Sequence, residues 1–301
     1  MSDTAPFAPP SSIPGVMTLV APHAPRIAMV FDSPHSGLTL PADFHPAVSP
    51  ELVRLASDTY VDELFSWAPD IGAPLLVAEF PRSFLDLNRS VKDVDTAMLD
   101  APWPYEIREN AATKRGMGLT WRYAWGDTLM NDRPLTVAEM AARIDTYWRP
   151  YHRAIVALLN QTHAEFGAVW HINCHSMPAI GHSLSPDPPG SVRADVVVGD
   201  YDGASSEPDF VALVVETLKG FGYSVSLNKP FRGAELVSAY ADPAARRNSI
   251  QIEVNRKLYM DELTRERLPE QVELRNNLAA LGRVMADYVR GAVQIRQAST
   301  K

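Results

Sequence analysis

Short apolar runs alternate with helical patterns along most of the chain. Six runs of five to seven residues are rich in β-branched residues or are bounded by glycine or proline. That composition and length are typical of buried strands. The predicted strands are Ile27–Phe31, Pro74–Phe80, Ala168–Cys174, Asp195–Gly199, Tyr223–Leu227 and Ser249–Val254.

The segments between these runs carry apolar residues at helical spacing. Thr136 and Glu139 have the spacing of a capping box, which predicts the start of a long helix with a kink at Pro150. The other predicted helices are Glu51–Ala68, a helix that starts at Pro208, and Asp261–Val293 with an interruption at Pro269.

Strands that alternate with helices predict an α/β fold with a mostly parallel mixed sheet and helices on both faces. In such a sheet, ligand sites lie beyond the C-terminal ends of the strands. We predict a single α/β domain over residues 25–295. A proline-rich, irregular N-terminal arm over 1–24 precedes it, and a flexible tail over 296–301 follows it.

Composition restricts the class of protein. Of 301 residues, 46% are hydrophobic and 21% are charged, which is typical of a globular chain. Acidic residues exceed basic ones by 36 − 28 = 8, so we expect no nucleic-acid partner. No apolar run is long enough to span a bilayer, and we expect no membrane partner. One cysteine, Cys174, predicts a reducing, cytoplasmic location without an intramolecular disulfide. No oligomeric state is predicted.

Two histidines each follow a predicted strand. His35 lies shortly after Ile27–Phe31, and His175 directly follows Ala168–Cys174. Such histidines can converge on one ion, and neutral imidazole suits zinc, whose third ligand is usually Asp, Glu or His. The alternatives are a turn histidine at position 35 and a buried polar pair of Cys174 and His175.

An acidic ligand is available on the predicted helix Glu51–Ala68. Asp58 and Asp62 are four residues apart, so both carboxylates lie on one edge of that helix. The alternative is a solvated helix face, which is the usual environment of aspartate.

Two further groups suit an anionic substrate and proton transfer. Arg82 and Arg89 flank a short strand, and guanidinium groups bind carboxylates bidentately, although Arg82 and Asp86 could instead form a structural ion pair. Glu253 lies at the end of an otherwise apolar strand and is a candidate general base. Its alternative is an ion pair with Arg256 or Arg232.

Seven motifs together resemble the N-formylglutamate amidohydrolase family, and the similarity runs from about Ala28 to about Glu262. No single motif is specific, but all seven occur in the family's order. They are Pro34–Gly37, Asp58–Leu64, Arg82 with Asp86–Arg89, Cys174–Met177, Gly199–Gly203, Asn228–Pro230 and Gln251–Arg256.

The resemblance extends to zinc carboxypeptidases and aspartoacylase-like deacylases, to which the family is related. It implies a zinc-carboxypeptidase-like fold, with His35 and His175 as zinc ligands. It also implies that Asn88 and Arg89 bind the substrate carboxylate and that Glu253 is the base.

The chain departs from these relatives at two positions. Their His-x-x-Glu motif reads His35–Leu38 here, so the acidic ligand must come from elsewhere, and we predict Asp58 with Asp62 in reserve. Asn173 also stands where aspartate is common, which weakens any prediction of a charged group behind the second histidine.

The activity implied by the resemblance is zinc-dependent hydrolysis of N-formyl-L-glutamate to L-glutamate and formate, a step of histidine degradation. The partner is a small anionic N-acyl amino acid. Arg82 would assist Arg89 in binding carboxylates, and Arg232 would bind a carboxylate or polarise the oxyanion. Gly116 and Gly118 predict a loop, either a mobile one near the site or a plain hairpin.

Three alternatives to this activity stay open. The first is metal-dependent cleavage of another N-acyl amino acid or a small peptide, with zinc or another transition metal. The second is a non-catalytic metal-binding module. The third uses Cys174 as a nucleophile, which is disfavoured because its neighbour His175 points to the opposite face of a strand.

Overall fold

The computed structural model describes residues 11–299. Its strands are β1 Met17–Val20, β2 Met29–Ser33, β3 Leu75–Ala78, β4 Tyr123–Trp125, β5 Thr128–Leu129, β6 Val169–Met177, β7 Val196–Gly199, β8 Val225–Leu227 and β9 Arg247–Asn255. Its α-helices are α1 Pro50–Leu55, α2 Val61–Leu64, α3 Ala111–Lys114, α4 Val137–Arg143, α5 Arg149–Phe166, α6 Pro208–Gly220, α7 Glu235–Ser238 and α8 Gln271–Ser299.

Seven of these strands form one sheet in the order β1-β3-β2-β6-β9-β7-β8. The four strands β3, β2, β6 and β9 run parallel to one another. At the flanks, β1 is antiparallel to β3 and β7 is antiparallel to β9, while β8 is parallel to β7. β4 and β5 form a separate hairpin. The predicted mostly parallel mixed sheet is confirmed.

Helices cover both faces of the sheet, as predicted. On one face, α6 and α8 contribute residues such as Phe210 and Leu278 to a core that includes Trp170 of β6. On the other face, α5 contributes Tyr151 and Leu158 to a second core. No helix within residues 11–299 has the length and apolar character needed to cross a membrane.

All six predicted strands are present, but β6 extends beyond its predicted end. We predicted Ala168–Cys174, whereas the strand continues to Met177 and pairs with β9 along its whole length. His175 therefore lies inside the strand rather than just after it. The strand extends because β9 continues to Asn255, and its backbone pairs with residues 175–177 of β6.

The predicted helix Glu51–Ala68 is wrong, because the chain breaks it into α1 and α2. Tyr60, the N-cap of α2, has a left-handed backbone with φ of 69°. The backbone N–H of Asp58 donates to the carbonyl of His35 at 2.9 Å, a bond outside any helix. Asp58 thus sits in the connection between two short helices, not on a helix edge beside Asp62.

The other helices follow the sequence more closely. Thr136 and Glu139 form the predicted capping box of α4. A π-helical turn over Ile144–Trp148 then leads into α5, next to Pro150, which has no N–H for a regular α-helical bond. The predicted helix from Asp261 begins only at Gln271, because the Asp261 carboxylate accepts backbone N–H bonds and forms a turn.

The predicted terminal segments are only partly covered. Residues 1–10 of the arm and 300–301 of the tail lie outside the described residues. Within the arm, Met17–Val20 forms β1 by antiparallel pairing with Leu75–Ala78, so that part is not irregular. Within the tail, the backbone of 296–299 continues α8.

Two glycines of α8 allow a matched test of the packing. A Cβ on Gly282 would lie 2.0 Å from Cζ3 of the buried Trp67, whereas a Cβ on Gly291 would meet open space. We expect Gly282→Ala to lower the free energy of unfolding by about 1–3 kcal/mol through overpacking. Gly291→Ala should raise it by about 0.5–1 kcal/mol through helix propensity. Urea unfolding of both variants checks this, and equal effects would contradict the packing of α8.

Candidate active site

The register between β6 and β9 places polar side chains on one face of the sheet. His175 lies beside Glu253, and Asn173 lies beside Gln251. Cys174 lies between these histidine and asparagine positions, on the opposite face of β6, and belongs to the apolar core there. The site therefore forms at the C-terminal ends of the parallel strands, where the fold predicts it.

Three predicted metal ligands come together at this edge. Ligand atoms of His35, Asp58 and His175 all lie within 4.8 Å of one another, and the three side chains are buried. Oδ2 of Asp58 is 3.5 Å from Nδ1 of His35 and 3.1 Å from Nδ1 of His175. Asp62, the reserve ligand, instead lies on α2 and lines a separate surface groove.

The hydrogen bond of His35 to Asp86 determines which of its ring nitrogens is free. Nε2 of His35 is 2.7 Å from Oδ1 of Asp86, a carboxylate held ionised by Arg82. An ionised carboxylate only accepts, so Nε2 carries the proton and Nδ1 carries a lone pair. Within residues 11–299, this buried Nδ1 has no hydrogen-bond partner. A bare, buried nitrogen of this kind is suited to a metal.

A longer chain of bonds assigns the same tautomer to His175. Nδ2 of Asn173 donates to Oδ1 of Asp32 at 2.6 Å, which orients the Asn173 amide. Its Oδ1 then faces Nε2 of His175 at 2.6 Å and accepts the proton of that nitrogen. With the proton on Nε2, which has the shorter contact, the lone pair of Nδ1 faces Oδ2 of Asp58. Asn173 replaces an aspartate next to His175, but a negative charge is present at Asp32, the residue that accepts the hydrogen bond from Asn173.

This arrangement points three acceptors at one another without a proton between them. A cation between them would remove the repulsion of these lone pairs, and nitrogen and oxygen ligands suit zinc and related transition metals. Burial lowers the pKa of His175 to about 4, so the imidazole is neutral at pH 7, as a metal ligand must be. The residues fit a divalent ion.

Two arginines hold the carboxylates of this group. Nη2 of Arg256 is 2.9 Å from Oδ1 of Asp58, and Nη2 of Arg82 is 2.9 Å from Oδ2 of Asp86. Burial alone raises the pKa of Asp58, but the positive charge of Arg82 opposes this rise, and the pKa lies well below its usual value. The ion pair of Arg82 and Asp86, left open by the sequence, is present.

Glu253 is buried beside this group. Its Oε1 accepts a bond from Nε2 of Gln251 at 2.7 Å. Burial, aided by the charge of Asp58, raises the pKa of Glu253 to about 8. The two arginines that were alternative partners bind elsewhere: Arg256 pairs with Asp58, and Arg232 pairs with Asp202 at 2.7 Å.

A cavity of about 230 Å³ opens from His175 and Glu253 towards solvent. Among the described residues that line it, Glu253 is the only carboxylate. Its lining also contains six arginines, which make it a site for anions: Arg82, Arg89, Arg115, Arg193, Arg232 and Arg256.

Asn88 and Arg89 both line this cavity. Nδ2 of Asn88 lies 3.3 Å from Nε2 of His175 and from Oε1 of Gln251, and its Oδ1 accepts the backbone N–H of Leu236 at 2.9 Å. Arg89 donates only to backbone carbonyls of the described residues, from Nε to Met117 at 3.1 Å. Arg232 lies at the exposed rim, with its guanidinium over the ring of Tyr201.

Cys174 lacks the properties of a nucleophile. Its thiol is buried in the apolar core, and its nearest bond is to the carbonyl of Ile172 at 3.6 Å. Burial raises the pKa of this thiol well above its usual value. A catalytic cysteine needs a lowered pKa and access to substrate, so the structure does not support this alternative.

Several residues of the site were not predicted. Asp32 directly follows a predicted strand, and that position could have indicated it. Asp86 was identified only as a partner of Arg82, not as the group that orients His35. Arg193, whose guanidinium is buried and pairs with Asp187 at 2.6 Å, lies in an irregular segment with no pattern to mark it.

Comparisons with known proteins agree on one family. A family model described as N-formylglutamate amidohydrolase matches residues 27–260. The N-formylglutamate deformylase of Pseudomonas putida is 28% identical over 275 residues, which cover 86% of this chain and 94% of that protein. The N-formylglutamate deformylase of Pseudomonas aeruginosa is 30% identical over 251 residues, covering 79% and 84%.

A solved structure has the same fold. The crystal structure of N-formylglutamate amidohydrolase from Ralstonia eutropha JMP134 superposes with a TM-score of 0.89 at 42% identity. The alignment covers 92% of this chain and 99% of that one.

The buried Asp32 network gives a prediction about stability. Asp32 accepts bonds from Asn173, from Nε2 of His171 at 3.0 Å and from the hydroxyl of Tyr151 at 3.0 Å. We expect Asp32→Ala to lower the free energy of unfolding by about 3–5 kcal/mol, because these buried donors lose their acceptor. Asp70→Ala, which removes an exposed partner of His23, should have little effect. Equal urea midpoints for the two variants, measured without metal, would contradict the network.

Proposed function

The chain belongs to the N-formylglutamate amidohydrolase family and is a hydrolase of amide bonds, and from this premise we propose that it is a zinc-dependent enzyme that hydrolyses N-formyl-L-glutamate to L-glutamate and formate. The observation that carries the proposal is the convergence of the Nδ1 atoms of His35 and His175 on Asp58, with His175 lining an arginine-rich cavity. A location in the cytoplasm and a role in histidine degradation stay predictions.

The proposed metal ligands are His35, Asp58 and His175. Two imidazoles and one carboxylate would be a set of three protein ligands, which is typical of catalytic zinc sites. When bound, zinc lowers the pKa of a coordinated water to about 7 and polarises the acyl oxygen. Asp86 and Asn173 would keep the two rings oriented for this role.

Glu253 is the proposed base. It would take a proton from the water that attacks the formyl carbon and pass it to the amide nitrogen as the C–N bond breaks. Formate and the free amino group of glutamate are then the products. With a pKa of about 8, Glu253 can also hold the proton until it is delivered to the amide nitrogen. A dication nearby would oppose this rise and favour the ionised form.

The substrate carboxylates would bind to the arginines of the cavity. Arg89 is the main candidate, because its guanidinium donates only to backbone carbonyls and keeps its charge for an anion. Asn88 would position this loop through its hydrogen bonds with Gln251 and with the backbone of Leu236. Arg82 is already held by Asp86 and Asp58, which favours a role in orienting the metal ligands. Arg232 stays a candidate for the oxyanion or a carboxylate, at the cost of its pairing with Asp202.

Metal content tests the first part of the proposal. Purified protein should bind about one equivalent of zinc, and His35→Ala and His175→Ala should each lose it, because a ligand is removed. His23→Ala is the matched control, since His23 is exposed and pairs with Asp70. Elemental analysis with a thermal-unfolding check measures this, and full zinc content in the double variant of His35 and His175 would refute the site.

Turnover tests the base against the cysteine alternative. We expect Glu253→Gln to lower kcat for N-formyl-L-glutamate by about 10²–10⁴-fold with zinc retained, because general-base assistance is lost. Cys174→Ala should change turnover little, since the thiol lies in the core on the other face of β6. Formate release and zinc content are measured together. Near-normal turnover of the zinc-loaded Glu253→Gln enzyme would refute this role for Glu253.

A further inference from the structure

The arginines of the cavity are not equivalent, because four of the six are already neutralised by the protein. Their carboxylate partners are Asp86 for Arg82, Asp187 for Arg193, Asp202 for Arg232 and Asp58 for Arg256. Within the described part of the chain, the other two arginines, Arg89 and Arg115, form no ion pair. These two guanidiniums are therefore the ones available to an anionic ligand.

Arg89 and Arg115 are held by neutral groups close to each other. Nε of Arg89 donates to the carbonyl of Met117, two residues beyond Arg115, and Nε of Arg115 donates to the carbonyl of Leu184 at 3.2 Å. Burial and the charge of Arg89 lower the pKa of Arg115. Two like charges in a partly buried cavity repel each other, and an anion between or beside them removes that cost.

The two arginines are anchored to different parts of the cavity wall. Arg89 follows Asn88, whose Nδ2 is 3.3 Å from Nε2 of His175. Arg115 is anchored instead to Leu184, in the segment that follows β6 and also lines the cavity. A glutamate derivative has two carboxylates for two such guanidiniums: its α-carboxylate is next to the scissile nitrogen, and its side-chain carboxylate is two methylene groups further away.

We propose that Arg115 is the residue that selects a dicarboxylic substrate, by binding the side-chain carboxylate while Arg89 binds the α-carboxylate. The inference rests on the proposed function and deepens it. The side-chain carboxylate of the substrate would bind Arg115 rather than Arg82, because the guanidinium of Arg82 already forms ion pairs with Asp86 and Asp58. A bidentate guanidinium also explains why a side-chain amide would bind poorly, because the amide offers one acceptor and a repelled donor.

The test compares two substrates that differ in one charge, N-formyl-L-glutamate and N-formyl-L-glutamine. Arg115→Met keeps the length of the side chain and removes its charge. Loss of one partner of a desolvated charge pair predicts a drop of about 10²-fold in kcat/KM for the glutamate substrate, mainly through KM. For the glutamine substrate we expect a change of less than about threefold, because the contact is absent in both enzymes.

The control is Lys114→Met, which removes the same charge from the exposed neighbouring residue. It should leave both substrates unaffected, and zinc content should equal that of the wild type in both variants. Equal losses for the two substrates in Arg115→Met would overturn the proposal, as would unchanged kinetics. Arg115→Lys provides a second variant, which should restore part of the preference for glutamate if the charge matters and none of it if the loop alone is disturbed.

The outcome can be separated from a failure of the proposed function. If the zinc-loaded wild type hydrolyses neither substrate, the hydrolysis proposal fails, and calorimetric titration with L-glutamate and L-glutamine still tests Arg115. Tighter binding of glutamate by the wild type that is lost in Arg115→Met would support the clamp. Equal binding of the two amino acids by the wild type would refute it.

Discussion

The parallel pairing of β6 with β9 is the constraint on which the site depends. Nine consecutive residue pairs in register give each strand one apolar face and one polar face. The apolar side chains, among them Cys174 and Ile252, fill the core under α6 and α8. The same alternation sets His175 next to Glu253 on the other face. A slip of one residue would bury the polar set in the core and expose the apolar set to the site, so packing and chemistry fix one register.

Polar groups inside a sheet are costly unless each has a partner, and this requirement explains the residues behind the candidate ligands. Asp32, Asp58 and Asp86 are all buried; Asp32 and Asp86 each accept bonds from at least two neighbours, and Asp58 accepts one from Arg256. Arg256 and Arg82 supply positive charge to two of them. Once these bonds are assigned, the lone pairs of His35, His175 and Asp58 are left facing one another. The network therefore stabilises the fold and, by the same bonds, presents a cation site.

The sequence predicted the strands and several site residues, because these depend on local patterns. Strand runs and their alternation identified the sheet, His35, His175 and Glu253, and motif order identified the family. Asp58 was predicted from helical spacing, yet it reaches the histidines because the helix breaks near Tyr60. Apolar spacing alone does not reveal such a break. Arg115 and Arg193 could not be ranked either, because the charge left on an arginine depends on which carboxylates the fold brings to it.

The three candidate ligands come from separate parts of the chain, and this has a consequence for function. His35 follows β2, Asp58 lies between α1 and α2, and His175 is within β6. In the relatives with a His-x-x-Glu motif, two ligands share one short segment, whereas here the acidic ligand comes from a different element. The backbone N–H of Asp58 donates to the carbonyl of His35, so these two segments are joined before any ion binds. That bond reduces the conformational entropy that is lost when ligands from separate segments come together around an ion. The positions of these two ligands are therefore set by the fold rather than by the ion.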